Sequence, residues 1–423
     1  MQRDAIRNAE IFMLGYLTFV CLRRDALATL TSTLIRYPSM SSLQCLFIVQ
    51  GEGLGHMTQA LALRAFLARA GHQVSGVLMG QNARRDVPEF FLRKIEAPVA
   101  YLESPTFACD AHNRSVRPLA TLLHTVCRTP GFRRSLRRVE TLLNHYRPDV
   151  VINFFEPLGG LYYGLYRPAI PMVCIAHQYL FLHPAYRFPP GHAVERSAAR
   201  LFTRLTALGA TRMLALSLYP VPETASTPGA RMTVLPPLLR DELLRQHAAA
   251  PEPFLLAYLL NSGYADEIIR WHRQHPEQIL HCFWDNRAAA EVERYDATLT
   301  FHRLDDEKFL GLMARCQGLV TTAGFETVCE AMYLGKPVLA VPVEGHFEQY
   351  CNSLDAVAAG AGLACSHFDI DRLVSFMPSY RSPAPAFRRW TREAEARFVR
   401  AIETAAAQAP APVADPLAEL ATV

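Results

Sequence analysis

The chain has 423 residues, half of them hydrophobic, and a formal net charge of only +4. That length exceeds one ordinary core and suits two domains, and so small a charge argues against a dedicated nucleic-acid binder. Ten cysteines are scattered with no Cys-x-x-Cys pair and no metal-ligand spacing, so a cytoplasmic protein with reduced thiols and no metal site is expected.

Residues 11–22 form an apolar run too short to span a bilayer. Arg3 and Arg7 precede it and Arg23-Arg24 follow, but no small-residue cleavage site comes after. Residues 1–40 are read as an extension ahead of the first strand, with Met40 as the functional start; an interfacial anchoring helix is the alternative. Leu46-Phe47-Ile48-Val49 then predicts a strand, and Gly51-Glu52-Gly53-Leu54-Gly55-His56 a glycine turn. Leu63, Phe66, Leu67 and Ala70 recur on one helix face, Gly71 stops that helix, and 73–79 reads as the next strand. Such a turn lets the backbone approach a ligand, with helix amides aimed at it and His56 at the mouth. It is not the dinucleotide fingerprint. Gly55 comes too early, His56 stands where that pattern needs glycine, and Gly80-Gln81-Asn82 ends the next strand without an acid.

Between His112 and Arg147, eight arginines (114, 117, 128, 133, 134, 137, 138 and 147) face the single acid Glu140. Leu136, Val139 and Leu143 predict an amphipathic helix there, its basic side either solvated or facing anionic lipid or an acidic acceptor. Residues 150–155, 171–176 and 213–218 read as buried strands, with a short helix over 159–166. The alternation implies an open parallel sheet covered on both faces, whose ligands bind beyond the carboxyl ends of the strands. His56, Asn153 with Glu156, and His177-Gln178 are therefore expected to converge on one cleft.

Residues 243–253, polar and alanine-rich, are read as a linker between an N-terminal domain over 41–242 and a C-terminal one over 254–405. Strands are expected over 254–260, 278–284, 297–301, 318–322 and 338–343. Helices are expected over 305–316, 325–334, 346–359 and from 385 to about 405, before a disordered Ala/Pro-rich tail, 406–423. Thr321-Thr322-Ala323-Gly324-Phe325-Glu326-Thr327-Val328-Cys329-Glu330 reads strand, tight turn, helix. Its free amides and Thr327 suit a phosphate. Glu330, an acid among Val328, Ala331 and Met332, suits a ribose diol. Glu348 and Gln349 open the next helix with a carboxylate and an amide, groups that hydroxyl-rich ligands require. Asp369-Ile370-Asp371 has the form of a metal-binding D-x-D but falls in a late helical region and is given little weight.

From about residue 43 to 400, these motifs resemble GT-B glycosyltransferases, closest to the MurG-like and UDP-glucuronosyl/glucosyltransferase-like group. The resemblance implies two Rossmann-like doubly wound domains facing a cleft. It makes His56 the general base, with Glu156 or Asp110 orienting it, and Gly53 and Gly55 the phosphate or acceptor loop. His177 and Gln178 fall on the acceptor side. Asn261, Ser262 and Gly263 match the donor-side loop, and Leu304 a segment packing near the base. Ala323, Gly324 and Thr327 would hold phosphates, Glu330 the ribose, and Glu348 with Gln349 the donor sugar. Thr322 and Glu326 depart from plant-type members, which carry His and Asn there. The implied activity is inverting, metal-independent, cofactor-free hexosyl transfer from a UDP-sugar to a hydroxyl acceptor, lipid-linked or of the cell envelope. Peripheral contact with the inner face of a membrane would accompany it. The alternatives are a nucleotide-sugar hydrolase or 2-epimerase of similar fold, and a catalytically silent membrane-surface binding protein.

Overall fold

Apolar runs punctuated by glycine, proline and aspartate become strands buried on both faces, and amphipathic stretches between them become the covering helices. The computed structural model describes residues 42–51, 53–81, 87–104, 108–109, 116–117, 130–221, 231–246, 250–259, 262–286 and 289–408. The extension 1–40, Asp110, Arg114, Arg128, Asn261 and the tail beyond residue 408 lie outside the described residues, as do the side chains of Arg117 and Ser262.

Leu43–Val423 is one unit by contact, and it holds two large sheets. The first contains β1 (Gln44–Gln50), β2 (Gln73–Gln81) and β3 (Val99–Glu103). A small antiparallel pair follows, β4 (Ala108–Cys109) with β5 (Val116–Arg117). The first sheet then continues with β6 (Val150–Phe154), β7 (Met172–Ala176), β8 (Arg212–Leu216) and β9 (Met232–Leu235). Its order is β3-β2-β1-β6-β7-β8-β9, parallel throughout. The second sheet comprises β10 (Phe254–Leu259), β11 (Ile279–Trp284), β12 (Val292–Arg294), β13 (Leu299–Arg303), β14 (Gly318–Thr321), β15 (Val338–Ala340) and β16 (Gly362–Ala364). Its order is β12-β13-β11-β10-β14-β15-β16, parallel except for the edge strand β12. This is the expected α/β architecture of two doubly wound layers. In each sheet the strand order reverses beside the first strand, between β1 and β6 and between β10 and β14. Those reversals are where such sheets open a crevice for ligands.

Two elements differ from the sequence expectation. The strand read over 338–343 stops at Ala340, because Pro342 has no N–H to continue a ladder. The single final helix is two, Ala384–Thr391 and Ala394–Ala406. The second of these, read along the chain as part of the C-terminal domain, returns to the first sheet. Phe398 meets Phe66 with ring centroids 6.5 Å apart, and Glu395 receives Arg69 through both carboxylate oxygens at 2.8–3.0 Å. Trp390 Nε1 likewise donates to Ser217 O at 2.9 Å, so the chain end fastens the halves together. Among the described residues no helix is long and apolar enough to cross a membrane.

Candidate active site between the two sheets

Past β1 the backbone at Gly53 is extended (φ −132°, ψ 156°), and the helix Leu54–Arg69 starts there without a side-chain cap. His56 stands in its first turn, nearly buried. Its Nδ1 lies 3.3 Å from Oε1 of Gln59, one turn further along the helix. Its ring stacks on Phe155, centroids 5.7 Å apart. Burial lowers the His56 pKa below the ordinary 6.5, Glu348 opposing the shift and His177 adding to it. At neutral pH the ring is therefore uncharged and able to accept a proton. Residues from three expected positions, His56, His177 and Glu348, thus share one electrostatic neighbourhood.

The second wall begins after β14. Ala323 is left-handed (φ 57°), a conformation costing a non-glycine residue roughly 1–3 kcal/mol, and such strain gathers at functional sites. Gly324 then opens the helix Phe325–Leu334 with no side-chain cap, so its first amides keep their anion-binding capacity. The Thr327 hydroxyl lies beside this turn, 3.8 Å from where a Cβ on Gly324 would be. Nearby strand and helix ends bury Thr321 Oγ1, Asn352 Oδ1, His177 Nε2 and Gln178 Oε1 with no hydrogen-bond partner among the described residues.

Glu326 turns away from the Gly324 turn toward the first sheet. Gln59 Nε2 donates to its Oε1 at 2.7 Å. Its side chain passes over Gly55, where an added Cβ would meet Glu326 Cγ at 3.4 Å. Burial pushes the Glu326 carboxyl up to about 8, with Glu330 adding to the shift and Gln59 and Arg240 opposing it. An acid neutral at pH 7 removes the repulsion that a carboxylate would exert on a nearby diphosphate. Glu330 is held by Arg240, whose Nε and Nη2 both donate to Oε1, at 2.8 and 2.6 Å. The pair is almost wholly buried, side-chain exposures being 5% and 11%, and Asp306 lies 3.5 Å from Arg240 Nη1.

Other expected residues have identifiable structural duties. Glu156 caps the helix Pro157–Tyr166; its Oε1 accepts from Leu158 N and from Ser104 Oγ, at 3.2 and 2.6 Å. The group on His56 Nδ1 is the carboxamide of Gln59, and Glu156 is engaged elsewhere; Asp110 lies outside the described residues. Asn153 is spent on backbone, donating to the carbonyls of Glu156 and Thr206. Gln349 accepts from Val343 N through Oε1 at 2.9 Å, which shapes the turn before its own helix. His177 stacks on Phe325 at 4.0 Å, donates from Nδ1 to Leu216 O at 3.1 Å, and turns Nε2 toward Asp355 Oδ2 at 3.8 Å. Gly263 lies in the short turn Ser262–Tyr264 that follows β10, and Leu304 packs on the core. The two acids of the D-x-D triplet do separate work. Asp369 caps a helix through Arg372 N, and Asp371 accepts from Trp271 Nε1.

Three participants escaped the sequence reading: Gln59, Arg240 and Asp355. Gln59 follows His56 at helical spacing, so facing the same way was foreseeable. Arg240 and Asp355 carry no local signal.

Two facing doubly wound sheets, with a histidine at one switch point and an uncapped glycine turn at the other, define a glycosyltransferase of the GT-B class. The model of glycosyl transferase family 1 matches residues 43–381, and the chain belongs to that family. An uncharacterized glycosyltransferase of Methanosarcina acetivorans is 25% identical over 346 residues, covering 77% of this chain and 84% of that one. The solved glycotransferase of kitacinnamycin superposes with a TM-score of 0.58 at 15% identity, covering 86% of this chain and 99% of that one. The MurG of Acinetobacter baumannii gives 0.51 at 17% identity over 86% and 99%. A spinosyn rhamnosyltransferase solved with thymidine diphosphate gives 0.52 at 14% identity over 85% and 100%.

Proposed function

We propose that this glycosyltransferase moves a sugar from a nucleotide-diphospho-sugar, a UDP-sugar in the first instance, to an acceptor hydroxyl with inversion and without a metal ion. The observation that carries the reading is a buried His56, its pKa lowered by that burial, set opposite the uncapped turn at Gly324. In this mechanism His56 takes the proton of the acceptor hydroxyl as its oxygen attacks the anomeric carbon. The bond from that carbon to the diphosphate breaks on the opposite face, which inverts the centre. The leaving charge is met by the first amides of the Phe325–Leu334 helix and by Thr327. Because Arg240 uses only Oε1 of Glu330, Oε2 is left to accept from the ribose diol. Gln349 keeps its amide nitrogen, and Glu348 its carboxylate, for the donor sugar. His177 and Gln178 are assigned to the acceptor side, and Asn261, Ser262, Gly263 and Leu304 to the donor side. The lobes are taken as 41–242 and 254–405, joined through 243–253, with the returning helix Ala394–Ala406 packed against the first of them.

A lipid-linked or cell-envelope acceptor, met at the inner face of a membrane, is part of the proposal. It is supported by the exposed Arg133, Arg134, Arg137 and Arg138 on the helix Pro130–Tyr146, whose Leu136, Val139 and Leu143 are buried. Such a basic face favours anionic surfaces. The test is a thermal-shift screen of UDP-, TDP- and GDP-sugars followed by turnover with hydroxyl acceptors. A donor at 100 times its Kd stabilises by about 2.7 kcal/mol, so the right nucleotide stands out. No stabilisation by any of them would overturn the donor reading; free sugar released from donor alone would identify a hydrolase instead.

A further inference from the structure

The hydrogen bonds around His56 determine which of its two nitrogens can act. Gln59 Nε2 donates to Glu326 Oε1 at 2.7 Å, and the carboxyl oxygen serves as acceptor there. With its NH₂ committed to Glu326, the Gln59 amide turns its own oxygen to His56 Nδ1, at 3.3 Å. An amide oxygen only accepts, so this contact requires the proton on Nδ1. In a neutral ring that leaves the lone pair on Nε2. All three side chains are at least nine-tenths buried, so water does not compete freely for these bonds. Phe155, itself in left-handed backbone (φ 59°), stacks against the face of the ring.

We propose that Gln59 and Glu326 are positioning residues that fix His56 as its Nδ1–H tautomer, and that the setting is made across the cleft. His56 and Gln59 belong to the helix after β1, whereas Glu326 belongs to the helix that opens at the Gly324 turn. The base is therefore organised by the element proposed to carry the donor diphosphate, and only where the two halves meet. Because the proposal rests on His56 being the base, the tautomer is read separately from turnover.

The experiment uses the full chain with ¹⁵N-labelled histidine, and long-range ring correlations that distinguish Nδ1–H from Nε2–H. His56 is identified by the signal that His56→Asn removes. In the unaltered protein His56 is expected as Nδ1–H. Glu326→Leu, at a residue 267 positions away from Gln59, should shift the ring toward Nε2–H or a mixture. Gln59→Met should do the same, and serves if the buried leucine prevents folding. The exchange Gln59→Glu with Glu326→Gln should restore Nδ1–H, since the carboxylate brought to the helix after β1 would then accept from the ring and from the new amide. The two single variants should also lower kcat by about ten-fold or more while leaving donor KM in place. A ring found as Nε2–H in the unaltered protein, or a tautomer unmoved in both single variants, overturns the proposal. Tautomer shifts without any change in kcat would uphold the relay and instead remove His56 from its role as base.

Discussion

Replacing Glu326 by glutamine should change how stability depends on pH. In the folded chain the Glu326 carboxyl is pushed from 4.5 up to about 8, chiefly by burial. Unfolded, it titrates at its ordinary value. Between about pH 4.5 and 8 the folded state therefore holds a proton that the unfolded state has released, and stability falls as pH rises through that window. Every tenfold change in proton affinity is worth about 1.4 kcal/mol, so the full displacement amounts to roughly 3–5 kcal/mol. Glutamine keeps an oxygen to accept from Gln59 and has no proton to lose. Urea unfolding of Glu326→Gln and the unaltered protein, compared from pH 5 to pH 8.5, should show the variant gaining steadily, by up to a few kcal/mol at the alkaline end. Contributions from all other groups cancel in the difference. Parallel pH profiles would rule this out, because they would mean that Glu326 ionises alike in both states.

Breaking the buried Arg240–Glu330 pair should be costly: Arg240→Met strands Glu330 and should destabilise by about 3–5 kcal/mol in urea unfolding. Glu330→Ala, if it folds, should weaken nucleotide-sugar binding by about 1–3 kcal/mol in calorimetry, as expected for a lost bond to the ribose diol. Unchanged affinity would reassign that acid to Arg240 alone. In the proposed mechanism the helix amides at Gly324 carry the leaving charge, so chelation should leave turnover in place. Turnover lost in EDTA and recovered with Mg²⁺ or Mn²⁺ would contradict that.

The sheets were legible because burial writes itself locally. A strand covered on both faces must be an apolar run, and Val150–Phe154 and Met172–Ala176 are just that. The helix Phe325–Leu334 was legible to the residue, since glycine marks both its ends and Gly335 adopts the left-handed turn (φ 76°) that glycine tolerates. What the sequence hid are partnerships across the cleft. Gln59 meets Glu326 at a separation of 267 positions, and Arg240 meets Glu330 at 90. No local pattern encodes either. Glu330 shows the consequence. Its apolar neighbours in sequence suggested a ligand, and the structure adds that an arginine from the other half already satisfies one of its oxygens. The returning helix Ala394–Ala406 was hidden for the same reason: its amphipathic pattern states that it covers something, not which sheet it covers.

In the proposed reaction a neutral His56 removes the acceptor proton while the C-terminal half holds the nucleotide. His56→Ala, assayed for donor binding by calorimetry and for transfer under saturating donor and acceptor, tests both parts in one protein. Donor affinity should stay nearly unchanged and turnover should fall by about 10²–10⁴-fold, the usual worth of a general base. A folded His56→Ala protein that transfers sugar at the original rate would show that the proton leaves by another route.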